Sequence, residues 1–389
     1  MIIEKEKNSE YIFGLDILRS FAILFVIFGH TFEHSNLPQW LKQFGTFANI
    51  GVELFFVLSG FLIGGIILKL INKDNFKTRK DLMYFWKRRW MRTIPLYVIA
   101  LLAWLHFDYN GSHPLSFHPE YWLFLQNFAW SIPNDFFTIS WSLAVEEHFY
   151  LWFPLIFLLM YVFISRKKAF YSAAFILLLV AFSYRLSLPF MDYNEWNWNS
   201  RMVVLSRLDA IMFGVLMAYL NFFHNTIWEK LRKLSFLWII LVLLILYWYY
   251  SGARGIDTYF VQIFGVTFQG AMLALLLPFF NSIKQTPITF IHNFVVWTSR
   301  LAYSLYLGHI LVIIFINKML LTFGLYEYLY PKAYYIYPLY FLCYYLLAFI
   351  TYKVVERPFL ELRDNSLSRN NIIKLIPFIL LFCFLISIF

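Results

Sequence analysis

The chain has 389 residues, of which 61% are hydrophobic, 22% aromatic and only 14% charged, and its mean hydropathy is +0.64. This composition excludes an ordinary soluble domain and indicates a polytopic membrane protein, because repeated apolar runs of about 20 residues are typical of spanning helices. The net charge of +10 does not indicate nucleic-acid binding, since Lys and Arg gather in short loops between apolar runs, as the positive-inside rule expects.

The apolar runs predict an all-α membrane bundle with ten core transmembrane helices and an eleventh at the C-terminus. In chain order, helices are expected near 12–32, 48–70, 91–106, 145–163, 169–188, 203–222, 235–250, 259–280, 296–319, 336–354 and 372–389. The segment 120–131 is apolar but short, and it fits an interfacial or re-entrant piece. We expect residues 1–360 to form one transmembrane domain and residues 361–389 to form a linker with the last helix.

The basic residues also predict the orientation of the helices. The loop after the second helix is rich in Lys and Arg, whereas residues 107–140 contain neither. Basic loops face the cytoplasm, so we expect a multi-pass protein of the inner (plasma) membrane with a cytoplasmic N-terminus. Residues 107–140 then lie outside.

The first helix carries three ionisable residues, Asp16, Arg19 and His30. An ionisable group at membrane depth is costly and usually serves a pathway or a site. His30 follows Arg19 by eleven positions, so both lie within roughly 20° of one helix face and about 16 Å apart along the axis. One stripe of one helix therefore places a cation near one membrane surface and an imidazole near the other. The alternative is a charged helix end followed by a terminal histidine.

With this topology, the other ionisable residues of the helices sort into two layers. The expected outer layer contains His30, Glu53, Glu146, Glu147, His148, Arg185, Arg207 and Asp209. The expected inner layer contains Asp16, Arg19, Arg88, Arg89, Arg92, Arg300, Glu356 and Arg357. Carboxylates with histidine on one side and an arginine cluster on the other indicate two sites with different chemistry.

Each layer has a chemical and a structural interpretation. Three arginines within five residues at a helix start can bind phosphate through bidentate, charge-assisted hydrogen bonds. The alternative is a basic flank that contacts lipid headgroups. We favour this alternative for Arg88 alone, and we favour phosphate binding for Arg89 and Arg92. His30 suits a general base at neutral pH, or else it caps a helix. His309, in the middle of a helix, is expected to be packed and hydrogen-bonded.

Several other chemistries find no support in the sequence. It contains no GxxxxGK loop, no HExxH, no CxxC and no GxSxG motif. Nothing in it indicates a bound metal, and we expect none.

Seven segments, taken in order, resemble the acyltransferase-3 family of integral membrane acyltransferases. They are Leu15-Asp16-x-Leu18-Arg19 with His30; residues 51–63 (GVELFFVLSGFLI); Arg88-Arg89-x-x-Arg92-x-Ile94-Pro95; Trp141-Ser142-Leu143-x-x-Glu146-x-x-Phe149-Tyr150; Arg207-Leu208-Asp209-Ala210; Tyr303-Ser304-x-Tyr306-Leu307-x-His309; and Glu356-Arg357-Pro358. Each motif is weak alone, but the order and topology together are specific. The resemblance covers roughly residues 12–360.

The resemblance implies ten core helices, an acyl-CoA donor, usually acetyl-CoA, and a hydroxyl of an extracytoplasmic glycan or glycolipid as acceptor. His30 matches the essential histidine of the family and Arg19 its partner arginine. The basic motif corresponds to Arg88, Arg89 and Arg92. Many members carry a further helix and a soluble esterase-like domain, whereas this chain continues with a single predicted helix.

The leading hypothesis is therefore a membrane O-acyltransferase. Arg19, Arg88, Arg89 and Arg92 are expected to bind the phosphates of acyl-CoA. His30 is expected to act as general base, with Glu146 or Glu53 orienting its imidazole, and an acyl-histidine intermediate is the mechanistic alternative. The contrasting hypothesis is a transporter or flippase for a polar lipid-linked substrate. Many transporters consist of inverted halves with broken helices, and the sequence shows no such symmetry.

Overall fold

The computed structural model describes residues 11–33, 47–72, 79–109, 119–133, 136–240, 243, 259–326 and 336–364. These residues form helices joined by turns, and no strand occurs among them. Eight helical stretches in these ranges are long and apolar enough to cross a membrane. The predicted fold class, a polytopic all-α membrane bundle, is confirmed.

The α-helices of the described residues are numbered α1 to α14 in chain order. They are α1 (Phe13–Glu33), α2 (Phe47–Asn72), α3 (Arg79–Tyr109), α4 (Pro119–Trp122), α5 (Trp141–Tyr161), α6 (Arg166–Leu186), α7 (Tyr193–Trp196), α8 (Val204–Phe223), α9 (Asn225–Lys233), α10 (Tyr259–Ala274), α11 (Leu277–Ser282), α12 (Thr289–Thr322), α13 (Tyr337–Thr351) and α14 (Arg357–Asp364).

The eight apolar stretches coincide with eight of the ten predicted core helices. The predicted third helix lies within α3. This helix is not one of the eight apolar stretches, because its first half carries many charged residues. Of the predicted seventh helix, residues 235–240 are helical, and most of the remainder lies outside the described residues. The predicted helix 372–389 also lies outside them.

Three helices begin earlier than their hydropathy predicts. α3 begins at Arg79 rather than at residue 91, α5 at Trp141 rather than 145, and α12 at Thr289 rather than 296. Apolar windows mark only the part of a helix that faces hydrocarbon. In α3, Lys and Arg are good helix formers and extend the helix into the polar boundary. In α5 and α12 the added residues include Ser142, Thr289 and Asn293, which lower the local hydropathy without ending the helix. Because these helices start earlier than predicted, the polar residues on them, including Glu146 on α5, lie at different depths in the membrane from those predicted.

Close backbone contact between α2 and α8 lies at the centre of the bundle. A Cβ atom on Gly60 would lie 1.9 Å from the carbonyl oxygen of Ile211, and one on Gly214 would lie 2.0 Å from that of Val57. Small residues allow helix backbones to approach in this way inside a membrane. α2 also packs along α1, so α2 holds α1 and α8 at fixed positions.

The segment between α4 and α5 packs against the beginnings of α5 and α8. The Asn127 side-chain amide donates to the carbonyl oxygens of Met202 (2.6 Å) and Trp141 (3.1 Å), and the Asn127 backbone carbonyl oxygen accepts from the Val204 N–H. Tyr121, buried in α4, donates to the Phe136 carbonyl oxygen of this segment. Burial, assisted by Glu120, raises the pKa of Tyr121, so its hydroxyl stays a donor. The backbone carbonyl oxygens of Asn127 and Phe128 therefore accept hydrogen bonds from the first N–H groups of α8, those of Val204 and Leu205.

Candidate active site

Five helices surround a cavity of about 120 Å³, which we call the arginine cavity. α1, α2, α3, α5 and α12 all contribute to its wall. Its polar lining residues are Arg19, Ser59, Arg89, Arg92, Thr93, Ser142, Glu146, Tyr150, Ser299, Tyr303 and Tyr306. Its apolar lining residues come mainly from α2 and include Phe55, Phe56 and Leu62. An apolar wall with convergent cations is typical of a site for an anionic organic ligand.

Arg19 is held at the cavity wall by a compact polar cluster. Its guanidinium Nη1 donates to Asp16 Oδ1 at 3.2 Å and to Ser299 Oγ at 3.1 Å. The Ser299 hydroxyl in turn donates to the same Asp16 oxygen at 2.5 Å. Asp16 lies three residues before Arg19, one turn away on the same helix face. The cluster therefore fixes the direction of the guanidinium before any ligand arrives.

The basic segment of α3 divides between the cavity and the outer surface of the helix. Arg89 and Arg92 line the cavity, as expected for residues three apart on one face. The Arg89 Nε atom is buried without a hydrogen-bond partner. Arg88 points elsewhere: it donates to the Tyr84 hydroxyl at 3.0 Å and lies over that ring. The cavity thus gathers Arg19, Arg89 and Arg92 but not Arg88.

Arg363 adds to this positive region, and the sequence motifs did not single it out. It lies on α14, which packs against α3, and its charge acts on the Arg89 guanidinium. The sequence signal was the basic residue in the last turn of a strongly amphipathic helix, which motif reasoning passed over because it follows the Glu356-Arg357-Pro358 segment.

Glu146 lies in the arginine cavity, contrary to the expectation that it shares a layer with His30. Its carboxylate accepts a hydrogen bond from the Tyr150 hydroxyl at 3.1 Å, and the charges of Arg92 and Arg19 act on it. The neighbouring Glu147 accepts from the Thr93 hydroxyl at 2.7 Å. The physical reason is the earlier start of α5: four more residues carry Glu146 about 6 Å further from the helix start than expected.

Glu53 belongs to a buried ion network. Its carboxylate pairs with Arg207, and both side chains are almost completely buried. Asp209 accepts from Arg185 at 2.9 Å and lies 3.9 Å from Arg207. The network links α2, α6 and α8, and Thr267 of α10 donates to Asp209. Glu53, Arg185, Arg207 and Asp209 were expected in one layer, and they do lie together. The ion pairs they form join them to each other and not to His30.

His30 faces a second histidine, His309 on α12. Nδ1 of His30 lies 3.0 Å from the Val26 carbonyl oxygen and 3.1 Å from Nε2 of His309. His309 is fully buried, and its Nδ1 lies 2.7 Å from the Tyr306 carbonyl oxygen and 3.2 Å from that of Leu305. His309 is therefore packed and hydrogen-bonded, as predicted, but its contact with His30 could not be read from the sequence.

α1 and α12 run side by side in the same direction and connect the cavity with the histidine pair. Arg19 contacts Ser299 at one end, and His30 contacts His309 at the other. Between them, Tyr306 lines the cavity, and its ring centre lies 6.0 Å from that of His309. The cavity therefore has cations at one end and adjoins a pair of imidazoles at the other.

No cluster of three or more His, Cys, Asp or Glu side chains suited to a metal ion occurs among the described residues. The chemistry of the site, as far as the described residues form it, is that of arginines, hydroxyls, carboxyls and two imidazoles.

Comparison with known proteins agrees with this arrangement. The model of the acyltransferase-3 family, described as an acyltransferase domain, matches residues 12–357. The chain is 28% identical over 394 aligned positions to O-acetyltransferase OatA of Staphylococcus aureus strain NCTC 8325, covering 92% of this chain and 58% of that protein. It is 27% identical over 347 positions to a putative O-acetyltransferase of S. aureus strain COL, covering 81% of this chain and 52% of the relative.

The chain thus spans somewhat more than half the length of these curated relatives. No solved structure matches it.

Proposed function

Because this chain belongs to the acyltransferase-3 family, we propose that it is a membrane O-acyltransferase. It moves an acyl group, acetyl in the first instance, from acyl-CoA to a hydroxyl of an extracytoplasmic glycan or glycolipid. The single observation that carries the proposal is the arginine cavity, which has three arginines at one end and adjoins the histidine pair at the other. The two relatives, both described as O-acetyltransferases, support acetyl as the group transferred.

The arginines suit the phosphates of the donor. Guanidinium groups bind phosphate through paired hydrogen bonds, and Asp16 and Ser299 hold the Arg19 guanidinium in place. Arg89 offers a buried N–H without a partner, which a phosphate oxygen would satisfy. Arg88 and Arg363 contribute positive charge around this end of the cavity. The apolar wall of α2 suits the pantetheine arm.

The distance along α1 suits an extended donor. Arg19 and His30 are eleven residues apart, or about 16 Å along the helix axis. A CoA molecule with its phosphates at the arginines can carry its thioester along the cavity toward Tyr306 and the histidine pair. The donor thus crosses part of the membrane inside the protein rather than through lipid.

In the proposed reaction, His30 acts as general base. It takes the proton of the acceptor hydroxyl as the hydroxyl oxygen bonds to the thioester carbonyl carbon. The C–S bond then breaks, and the departing CoA sulfur receives the proton from His30. The products are the O-acyl acceptor and CoA with a free thiol. If His30 is instead the nucleophile, its ring nitrogen bonds to the acyl carbon as the C–S bond breaks and CoA leaves as a thiolate. The acceptor hydroxyl then takes the acyl group, its proton neutralises the thiolate, and His30 is regenerated.

Glu146 and Glu53 take different roles in this proposal. Glu146 sets the charge of the donor cavity, because its carboxyl group lies among the arginines. Glu53 holds α2 against α8 through its ion pair with Arg207. It therefore stabilises the position of α2, which forms the apolar wall of the cavity. The charge distribution supports a cytoplasmic N-terminus in the plasma membrane, with the donor entering at the arginines and the acceptor meeting His30 from outside.

Release of CoA thiol tests the function. The purified protein in lipid nanodiscs is mixed with acetyl-CoA and with envelope glycans taken from cells that lack the gene. We expect thiol release that depends on the glycan fraction, together with acetylated glycan detectable by mass spectrometry. His30→Ala serves as the control. Binding or movement of a lipid-linked sugar with no thiol release would contradict the proposal and favour a transporter or flippase.

A further inference from the structure

The histidine pair has a hydrogen-bond pattern that determines which nitrogens carry protons. Nδ1 of His309 faces two carbonyl oxygens, those of Tyr306 and Leu305. A carbonyl oxygen can only accept, so Nδ1 of His309 must carry a proton and donate it. In a neutral imidazole the other nitrogen is then an acceptor. Nε2 of His309, which faces His30, is therefore an acceptor.

The tautomer of His30 follows from its two neighbours in the same way. Its Nδ1 faces the Val26 carbonyl oxygen at 3.0 Å and Nε2 of His309 at 3.1 Å. Both are acceptors, so Nδ1 of His30 carries the proton and shares it between them. The basic lone pair of His30 then lies on Nε2, on the opposite side of the ring.

We propose that His309 is a positioning residue for catalysis: through its Nε2 it holds His30 in the tautomer, and in the orientation, whose Nε2 is the base. This inference rests on the proposed function, because it gives His309 a role only if His30 takes the proton. In the Ser-His-Asp arrangement a carboxylate orients the imidazole. Here a second, neutral imidazole occupies that position, and the carboxyls of Glu53 and Glu146 are engaged elsewhere.

The proton balance is straightforward. When Nε2 of His30 takes the hydroxyl proton, the ring becomes an imidazolium with N–H groups at both nitrogens. The Nδ1–H continues to donate to Nε2 of His309 and to Val26, so the added charge meets two acceptors already in place. The Nε2 proton then passes to the CoA sulfur, and both histidines return to their starting tautomers.

The surroundings of His309 explain how it stays in place. Its side chain is completely buried. The Tyr344 ring of α13 lies edge-on to it at 6.5 Å, and the Tyr344 hydroxyl bonds to Thr31 at 2.9 Å. Thr31 is the residue after His30 on α1, so α1, α12 and α13 enclose the pair together. Packing on three sides restricts the rotation of both imidazoles, which a base needs in order to keep its orientation.

The test compares three substitutions of His309 by kcat and by the KM for acetyl-CoA. Gln places an amide oxygen near the Nε2 position, Asn reaches only the Nδ1 position, and Leu offers no acceptor. We expect His309→Leu to lower kcat by about 10- to 100-fold and His309→Asn similarly, with the donor KM within about twofold. His309→Gln should recover a substantial part of kcat. Tyr345→Phe, on the same helix as Tyr344, loses only a hydroxyl that bonds to Thr298 rather than to the residues around the histidine pair, so its kcat should match the wild type.

Each outcome is decisive. Equal losses in the Gln and Asn variants, or a His309→Leu variant that binds acetyl-CoA and turns over at the wild-type rate, would overturn the positioning role. If the Leu variant does not fold, the comparison of Gln with Asn decides alone. A fully active His30→Ala variant would instead refute His30 as the base, so the two failures can be told apart.

Discussion

Glu146 puts a carboxyl group into a cavity whose other charged side chains include Arg19, Arg89 and Arg92. A carboxylate near a phosphate site opposes the binding of an anionic donor, while its charge offsets the mutual repulsion of the arginines when the site is empty. Its hydrogen bond from Tyr150 would survive replacement by glutamine, because the amide oxygen also accepts. Charge is therefore the property that such a substitution removes.

Glu146→Gln should lower the KM for acetyl-CoA by about three- to tenfold, because the loss of one negative charge at this range is worth about 1 kcal/mol. The measurement is a donor titration of the purified variant. An unchanged donor KM with a large fall in kcat would return Glu146 to the role of orienting His30.

Glu53 should affect stability more than turnover. Removing one partner of a buried ion pair leaves an uncompensated charge and costs about 3–5 kcal/mol, so Glu53→Gln should lower the unfolding temperature strongly. The matched control is Glu229→Gln, which breaks the exposed pair with Arg232 and should cost less than about 1 kcal/mol. Thermal unfolding in detergent measures both. A catalytic role for Glu53 would require low kcat in a variant of normal stability.

At the scale of the helices, the approach of α2 to α8 depends on glycine. Gly60→Ala places a methyl group within 2 Å of the Ile211 carbonyl oxygen, and overpacking of this kind costs about 1–3 kcal/mol. The variant should therefore melt earlier and accumulate less. Gly65→Ala, on the same helix, meets nothing within 4 Å and should melt like the wild type. Equal melting of the two variants would mean that α2 and α8 are not in backbone contact.

Hydropathy located the apolar part of each described span but not the helix ends, because polar residues at a membrane boundary remain helical without an apolar signal. The position of the start of α5 in turn determines the depth of Glu146 in the membrane. The eleven-residue spacing of Arg19 and His30 needed only helix geometry. The contact between His309 and His30 could not be predicted in this way. It depends on the packing of α12 beside α1, which brings together residues 279 positions apart, and no local sequence pattern encodes it.

The orientation of the bundle in the membrane determines which side the arginines and the histidine pair face. The Lys and Arg distribution predicts that Lys87 on α3 faces the cytoplasm and Leu123, which is 66% exposed, faces outside. Cysteine introduced at each position, in a chain with Cys343 and Cys383 replaced by serine, reports this through an impermeant maleimide. Intact cells should label position 123 and not position 87. The reverse pattern would invert the topology and place His30 on the cytoplasmic side.

The family relation supports the reaction class, and the structure supports a division of labour within it. The two ends of one site, arginines and imidazoles, lie on the same pair of parallel helices. Binding and chemistry should therefore respond separately to substitution.

The donor titration of Arg89→Ala, Lys87→Ala and His30→Ala tests this claim most directly. Loss of one charge-assisted contact costs about 1.5–3 kcal/mol, so Arg89→Ala should raise the KM for acetyl-CoA roughly 10- to 150-fold with a smaller change in kcat. Lys87→Ala removes the same charge from the same helix outside the cavity lining and should change little. His30→Ala should lower kcat at least ~100-fold with the donor KM nearly unchanged. Equal donor KM values for Arg89→Ala and Lys87→Ala, together with near-normal turnover in His30→Ala, would contradict the account.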